Sequence, residues 1–245
     1  MLHKETVERT TFELLIKLMQ DKRFKNFNLA GETALALYLG HRKSIDLDLF
    51  TPDNFDSNKL EEYLIDKYNF KSSYLEKNTL KGTINDVKID CITHNYPYIE
   101  PPFKSEEGIR LYSIKDITAM KLSAIADNGT RIKDFVDIAY LSSKLSLADM
   151  IRTYEKKFPN ANALRPLKGL TYFQDLNFKE TVQLINGSFI WETVERRLND
   201  ITTHTQTVFS ELSMSKERGK KRNLCTRENR KGRPYDYSRT AGKDR

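Results

Sequence analysis

Residues 41–49 read His-Arg-Lys-Ser-Ile-Asp-Leu-Asp-Leu, and the fold turns on how Asp46 and Asp48 sit among Ile45, Leu47 and Leu49. Alternate side chains of a strand share a face. The spacing therefore predicts a strand over 45–50, with both carboxylates on one side and the three apolar residues on a core. Carboxylates this close repel, and the usual compensation is a hard divalent cation such as Mg²⁺. Paired acids on a sheet, just after a glycine turn, are one way phosphoryl- and nucleotidyl-transfer sites hold metals. An Asp-x-Asp by itself is more often the solvated face of an edge strand, so the surrounding sequence decides.

Upstream, Val7, Phe12, Leu14, Leu15 and Leu18 repeat at helical spacing over about 6–19, and Phe27–Ala30 reads as a short strand entering Gly31. Residues 33–39 are rich in Ala and Leu and read as a helix closed by Gly40. Downstream, a helix is expected over 57–68 and consecutive strands over 70–93. Asn85-Asp86 forms the hairpin turn between 80–84 and 87–92. In 87–92 the alternation sets Asp90 apart from Val87, Ile89 and Cys91. Three carboxylates on neighbouring strands can hold two ions roughly 3.5–4 Å apart; alone, Asp90 is an ordinary hairpin-edge acid. Three prolines make 96–102 a loop. From Ile114 the pattern turns helical: Ile117, Met120, Leu122, Ala124 and Ile125 suggest one helix and Phe135, Ile138, Ala139 and Leu141 a second, with further helices expected near 146–157, 161–172 and 189–203.

The 245-residue chain is long enough to bury a substantial core. Its net charge of +7 is not spread evenly. Residues 216–245 hold twelve Lys or Arg against four Asp or Glu, which leaves the rest near −1. The pI near 9.2 thus belongs to the tail, whose poverty in aliphatic residues predicts disorder. Cys91 and Cys225 lack disulfide spacing and the four histidines lack a zinc pattern. No apolar run approaches a membrane span and no signal peptide opens the chain, so a cytoplasmic protein is expected. Neither a G-x-x-x-x-G-K-[ST] nor a G-x-G-x-x-G occurs. Gly31 before a helix could aim backbone N–H groups at phosphates, although such a glycine is commonly only a turn. Lys121, on the polar side of an apolar helix, could meet a triphosphate or simply be solvated. Lys133 and Asp137 stand at i, i+4, where an exposed ion pair is the plain reading.

Leu29-Ala-Gly-Glu-Thr-Ala-Leu-Ala-Leu-Tyr-Leu-Gly-His-Arg-Lys-Ser-Ile-Asp-Leu-Asp-Leu-Phe50 resembles the first motif of AbiEii/AbiGii-type nucleotidyltransferases. Val87-Lys-Ile-Asp-Cys91 is similar to their later acidic strand. Ala119-Met-Lys-Leu-Ser-Ala-Ile125 and Arg131-Ile-Lys-Asp-Phe-Val-Asp-Ile138 are similar to their helical motifs. The resemblance spans roughly 5–200. It implies the DNA polymerase β-like superfamily, in which many members are toxins of abortive-infection or toxin–antitoxin systems and relatives extend the 3′ end of tRNA. Carried over, Asp46, Asp48 and Asp90 would be metal ligands. Gly31, Thr33, Arg42, Ser44 and Lys133 would bind the nucleotide, Lys121 would bind phosphate or assist catalysis, and Asp134 or Asp137 would be the last-motif acid. The family commonly carries Gly-Gly before the Thr; here Glu32 takes the second place, where it is expected to repel phosphates. Asn128 stands near where relatives often carry Arg.

The expectation is an α/β (α+β) chain. A minimal nucleotidyltransferase mixed sheet flanked by helices occupies 1–112, a helical domain 113–205, and a basic disordered tail 206–245. The expected activity is Mg²⁺-dependent transfer of a nucleoside monophosphate from an NTP, with two ions, to an RNA acceptor, foremost a tRNA 3′ end. A cognate antitoxin is the expected protein partner, with no membrane partner. The alternatives are a silent scaffold acting through a protein partner, favoured by Glu32, and a phosphoesterase using the same acids.

Overall fold

A computed structural model of the chain describes residues 2–214. Seven strands form one mixed sheet: β1 (Asn28–Leu29), β2 (Leu47–Thr51), β3 (Lys71–Glu76), β4 (Thr79–Ile84), β5 (Val87–Thr93), β6 (Phe103–Lys104) and β7 (Arg110–Leu111). Their spatial order is β3-β4-β5-β2-β1-β7-β6. β2 lies parallel to β5 and β1 parallel to β7, while the other neighbours are antiparallel. The helices among the described residues are α1 (Arg9–Gln20), α2 (Gly31–Leu39), α3 (Ser57–Tyr68), α4 (Ile114–Asp127), α5 (Ile132–Leu141), α6 (Leu147–Lys157), α7 (Leu164–Gly169) and α8 (Trp191–Thr203). None is long and apolar enough to cross a membrane.

Local chemistry sets the boundaries. Asp56 caps α3 by accepting from the Lys59 N–H, and Asn69 closes the helix in the left-handed region. Ser113 caps α4 and exchanges hydrogen bonds with Asp116, three residues on. Asn85 and Asp86 both have positive φ, as a two-residue hairpin of the primed type requires, so the β4–β5 register is fixed by the turn. One sheet face carries Leu47, Leu49, Leu80, Ile84, Ile89 and Cys91 into the core. The other carries Asp48, Lys81 and Asp90.

The strand expected over 45–50 begins at Leu47. Ile45, expected in the core, is 59% exposed, because residues before Leu47 leave the sheet and Arg42 instead bridges to Leu184. At the other end, 206–214 pack back on the helices. The Phe209 N–H donates to the Ser142 carbonyl, Arg197 lies over the Phe209 ring, and Met214 is buried. The basic segment 215–245, and with it the expected disorder there, lies outside the described residues.

Candidate active site

β1 delivers the chain to the carboxylates. The Ala30 N–H donates to the Asp48 carbonyl at 2.8 Å, and Gly31 then turns through φ +64° to start α2. A Cβ on Gly31 would run into the Asp48 carboxylate, so close approach and backbone conformation both demand glycine. Asp48 and Asp90 are direct cross-strand partners on β2 and β5. Burial first, then the charges of Asp90 and Glu32, push Asp48 up to about 6. Asp90 Oδ2 lies 3.1 Å from the Lys81 Nζ and 3.6 Å from the Lys88 Nζ. Its Oδ1 is buried without a hydrogen-bond partner. Asp46 stands just before β2, its carbonyl held by the Thr33 hydroxyl. All three acids line a cleft of about 310 Å³ together with Gly31, Lys81, Lys88, Lys121, Arg131 and Asp134.

Beneath the cleft lies a buried ion network. Asp137 accepts from Arg42 Nε at 2.7 Å and Nη2 at 2.8 Å and pairs with His41 Nε2 at 2.8 Å. Lys121 Nζ lies 2.8 Å from Asp137 and 2.6 Å from Asp134. Burial alone would raise Asp137, but Arg42 and Lys121 hold it well below the usual carboxylate range. Burial works against the Lys121 charge, and Asp134 and Asp137 override it, so the ammonium is retained. Glu32 accepts from Arg42 Nη1 at 3.2 Å and from Arg131, with Lys133 at 3.9 Å. Despite its burial and the nearby Asp137, the cations Lys121, Arg42 and Arg131 lower its pKa.

The residues singled out in the sequence therefore fall in three places. Gly31, Asp46, Asp48, Asp90, Lys121 and Asp134 meet at the cleft. Arg42, 1% exposed, and Asp137 form the floor, while the Thr33 and Ser44 hydroxyls hydrogen-bond each other at 2.8 Å. Lys133 lines a neighbouring cavity of about 250 Å³ that shares Glu32 and Asp46 with the first. Arg131, Lys81, Lys88 and His41 were not singled out. The signal for Lys81 was present, since a two-residue turn at 85–86 pairs it with Asp90.

The donor set suits a hard divalent cation: carboxylate oxygens, one of them a buried acceptor with nothing to accept from. Among the described residues, no three acidic, His or Cys side chains are already gathered around one point.

A family model described as nucleotidyl transferase AbiEii toxin, type IV TA system, matches residues 13–200. An uncharacterized protein of Aquifex aeolicus (strain VF5) is 34% identical over 188 residues, spanning 75% of this chain and 89% of the relative. Among solved structures, an H. pylori protein designated a nucleotidyltransferase aligns with 81% of this chain and 95% of its own, at 18% identity and a TM-score of 0.49. The Thermotoga maritima CCA-adding enzyme complexed with tRNA aligns with 70% of this chain and 56% of its own, at 14% identity and a TM-score of 0.34.

Proposed function

Because the chain belongs to the AbiEii nucleotidyl transferase toxin family and is a nucleotidyltransferase, we propose that it moves a nucleoside monophosphate from an NTP to the 3′ end of an RNA, foremost tRNA. In this reading it is the toxin of a bacterial toxin–antitoxin or abortive-infection pair. Residues 1–112 act as the transferase domain and 113–205 as the helical domain closing over it. The observation that carries the reading is the in-register Asp48–Asp90 pair beside the N-terminus of α2.

Asp46, Asp48 and Asp90 would hold Mg²⁺, two ions in the fullest form. The chemistry such ions supply is polarisation of the triphosphate and acidification of the acceptor hydroxyl. The chain's own residues do the rest. Backbone N–H groups at the start of α2 face phosphate oxygens, favoured by the helix dipole. Lys121 keeps its charge against burial through Asp134 and Asp137, and so presents a fixed cation to phosphate. Arg131, held by Glu32 at the cleft, adds a second cation. Arg42, Thr33 and Ser44 support the phosphate-facing turn from beneath.

The test is transfer of labelled NMP to total tRNA by purified protein with Mg²⁺, and its abolition by Asp48→Asn. In EDTA the same variant should be more stable to unfolding than wild type by roughly 1–3 kcal/mol, because it removes a buried repulsive charge. No labelled RNA with any NTP would refute the transfer reading. Release of orthophosphate in place of pyrophosphate would point to a phosphoesterase, and no metal-dependent heat on titration with NTP to a silent scaffold.

A further inference from the structure

The sheet continues beyond Asp90 into strands that the reaction leaves unused. The cross-strand pairs Tyr74–Lys81, Lys81–Asp90 and Asp90–Asp48 form one row across four strands. Paired residues project from the same face. Tyr74 thus stands on the carboxylate side of the sheet, three strand spacings or about 14 Å from Asp48. A neighbouring row carries Lys71, Thr83 and Lys88 by the same pairing. The opposite face of β4 is buried through Leu80 and Ile84, whereas every residue of β3 is exposed and Tyr74 is 46% exposed. Glu76 shares the Tyr74 face, and its carboxylate raises the pKa of the Tyr74 hydroxyl above the ordinary value.

We propose that this face of β3–β5 is the track of the RNA acceptor. The single-stranded 3′ end crosses from Tyr74, on which an upstream base stacks, past Lys81 and Lys88. Its terminal hydroxyl then arrives at Asp48 and Asp90. The inference rests on RNA being the acceptor. A polyanion with planar bases is the occupant that fits, because three lysines flank one exposed aromatic ring and the row runs unbroken into the catalytic cleft. Lys81 and Lys88 bracket Asp90, so they meet the last phosphates, and Lys71 meets one further upstream.

The experiment is fluorescence anisotropy with a short labelled single-stranded oligoribonucleotide, beside calorimetric titration of NTP with Mg²⁺. Tyr74→Ala should weaken oligonucleotide binding roughly tenfold, Tyr74→Phe should bind like wild type, and neither should change NTP affinity. Lys71→Ala should lower the slope of log K against log salt by roughly 0.7. The proposal falls if wild type does not bind the oligonucleotide, as a protein acceptor would predict. It also falls if Tyr74→Ala binds normally, or if Tyr74→Phe loses as much as Tyr74→Ala, since the Glu76 contact and not stacking would then matter. If binding behaves as described but no NMP is transferred to RNA, the track stands and the transferase reading for RNA fails.

Discussion

Glu32 is the residue at which sequence and structure part most sharply. As a carboxylate at a phosphate-facing helix start, it is expected to repel the nucleotide, and Glu32→Gly to raise activity or leave it unchanged. Its oxygens are instead taken by Arg42 and Arg131, inside a network whose cations lower its pKa. Removing it eases its repulsion of Asp48, but it also releases Arg131 from the cleft and takes a partner from a buried guanidinium. Glu32→Gln should therefore raise the NTP KM about tenfold with kcat little changed, as loss of one charge-assisted contact at a half-exposed site suggests. Steady-state kinetics at varied NTP reads this directly. A fall in KM would restore the repulsion account.

At the scale of elements, the end of β5 holds a histidine whose environment makes the fold sensitive to acid. The His94 ring packs among Phe50, Tyr96, Tyr112 and Phe158, and its Nε2 is buried without a partner. Burial, helped by the Lys157 charge, lowers it to about 4. The folded state thus keeps the ring neutral while the unfolded chain takes up a proton below its ordinary value of 6.5. Stability from this source is whole above that value and is lost as pH falls toward about 4. The loss should reach roughly 2 kcal/mol, and His94→Phe should flatten the dependence of Tm on pH across that window. An unchanged slope in the variant would assign the acid sensitivity elsewhere.

For the molecule as a whole, a buried ion pair ties the helices to the sheet. Lys157 of α6 reaches Asp116 of α4 at 2.7 Å and the Pro97 carbonyl at 3.1 Å, and lies over the Tyr112 ring. Asp116 also accepts from the Ile99 and Glu100 N–H groups. Asp116→Ala strands a buried ammonium and should cost about 3–5 kcal/mol in urea unfolding, more than Lys157→Met, which leaves Asp116 its N–H partners. The basic segment after Met214 holds twelve Lys or Arg against four acids. Truncation there keeps the packed residues 206–214. It should flatten the salt dependence of RNA binding without changing which RNA is preferred. Equal slopes for the two proteins would give the segment no role in binding.

Local periodicity made most of the elements legible in the sequence, because strand alternation, helical repeats, caps and a two-residue turn act over a few residues. The α3 span and the 85–86 hairpin follow from such rules. What pairs with what at long range does not, and that includes β2 lying beside β5, which brings Asp48 to Asp90. By spacing Asp137 is an i, i+4 neighbour of Lys133 and by resemblance one of two candidates for the last-motif acid, whereas in the structure it is the fully buried partner of His41, Arg42 and Lys121. Arg42 and Glu32 could each be placed near phosphate from the motif. Only the packing of α5 against α2 turns them into a buried pair beneath the cleft, because a desolvated charge must find its counter-charge wherever the fold brings one.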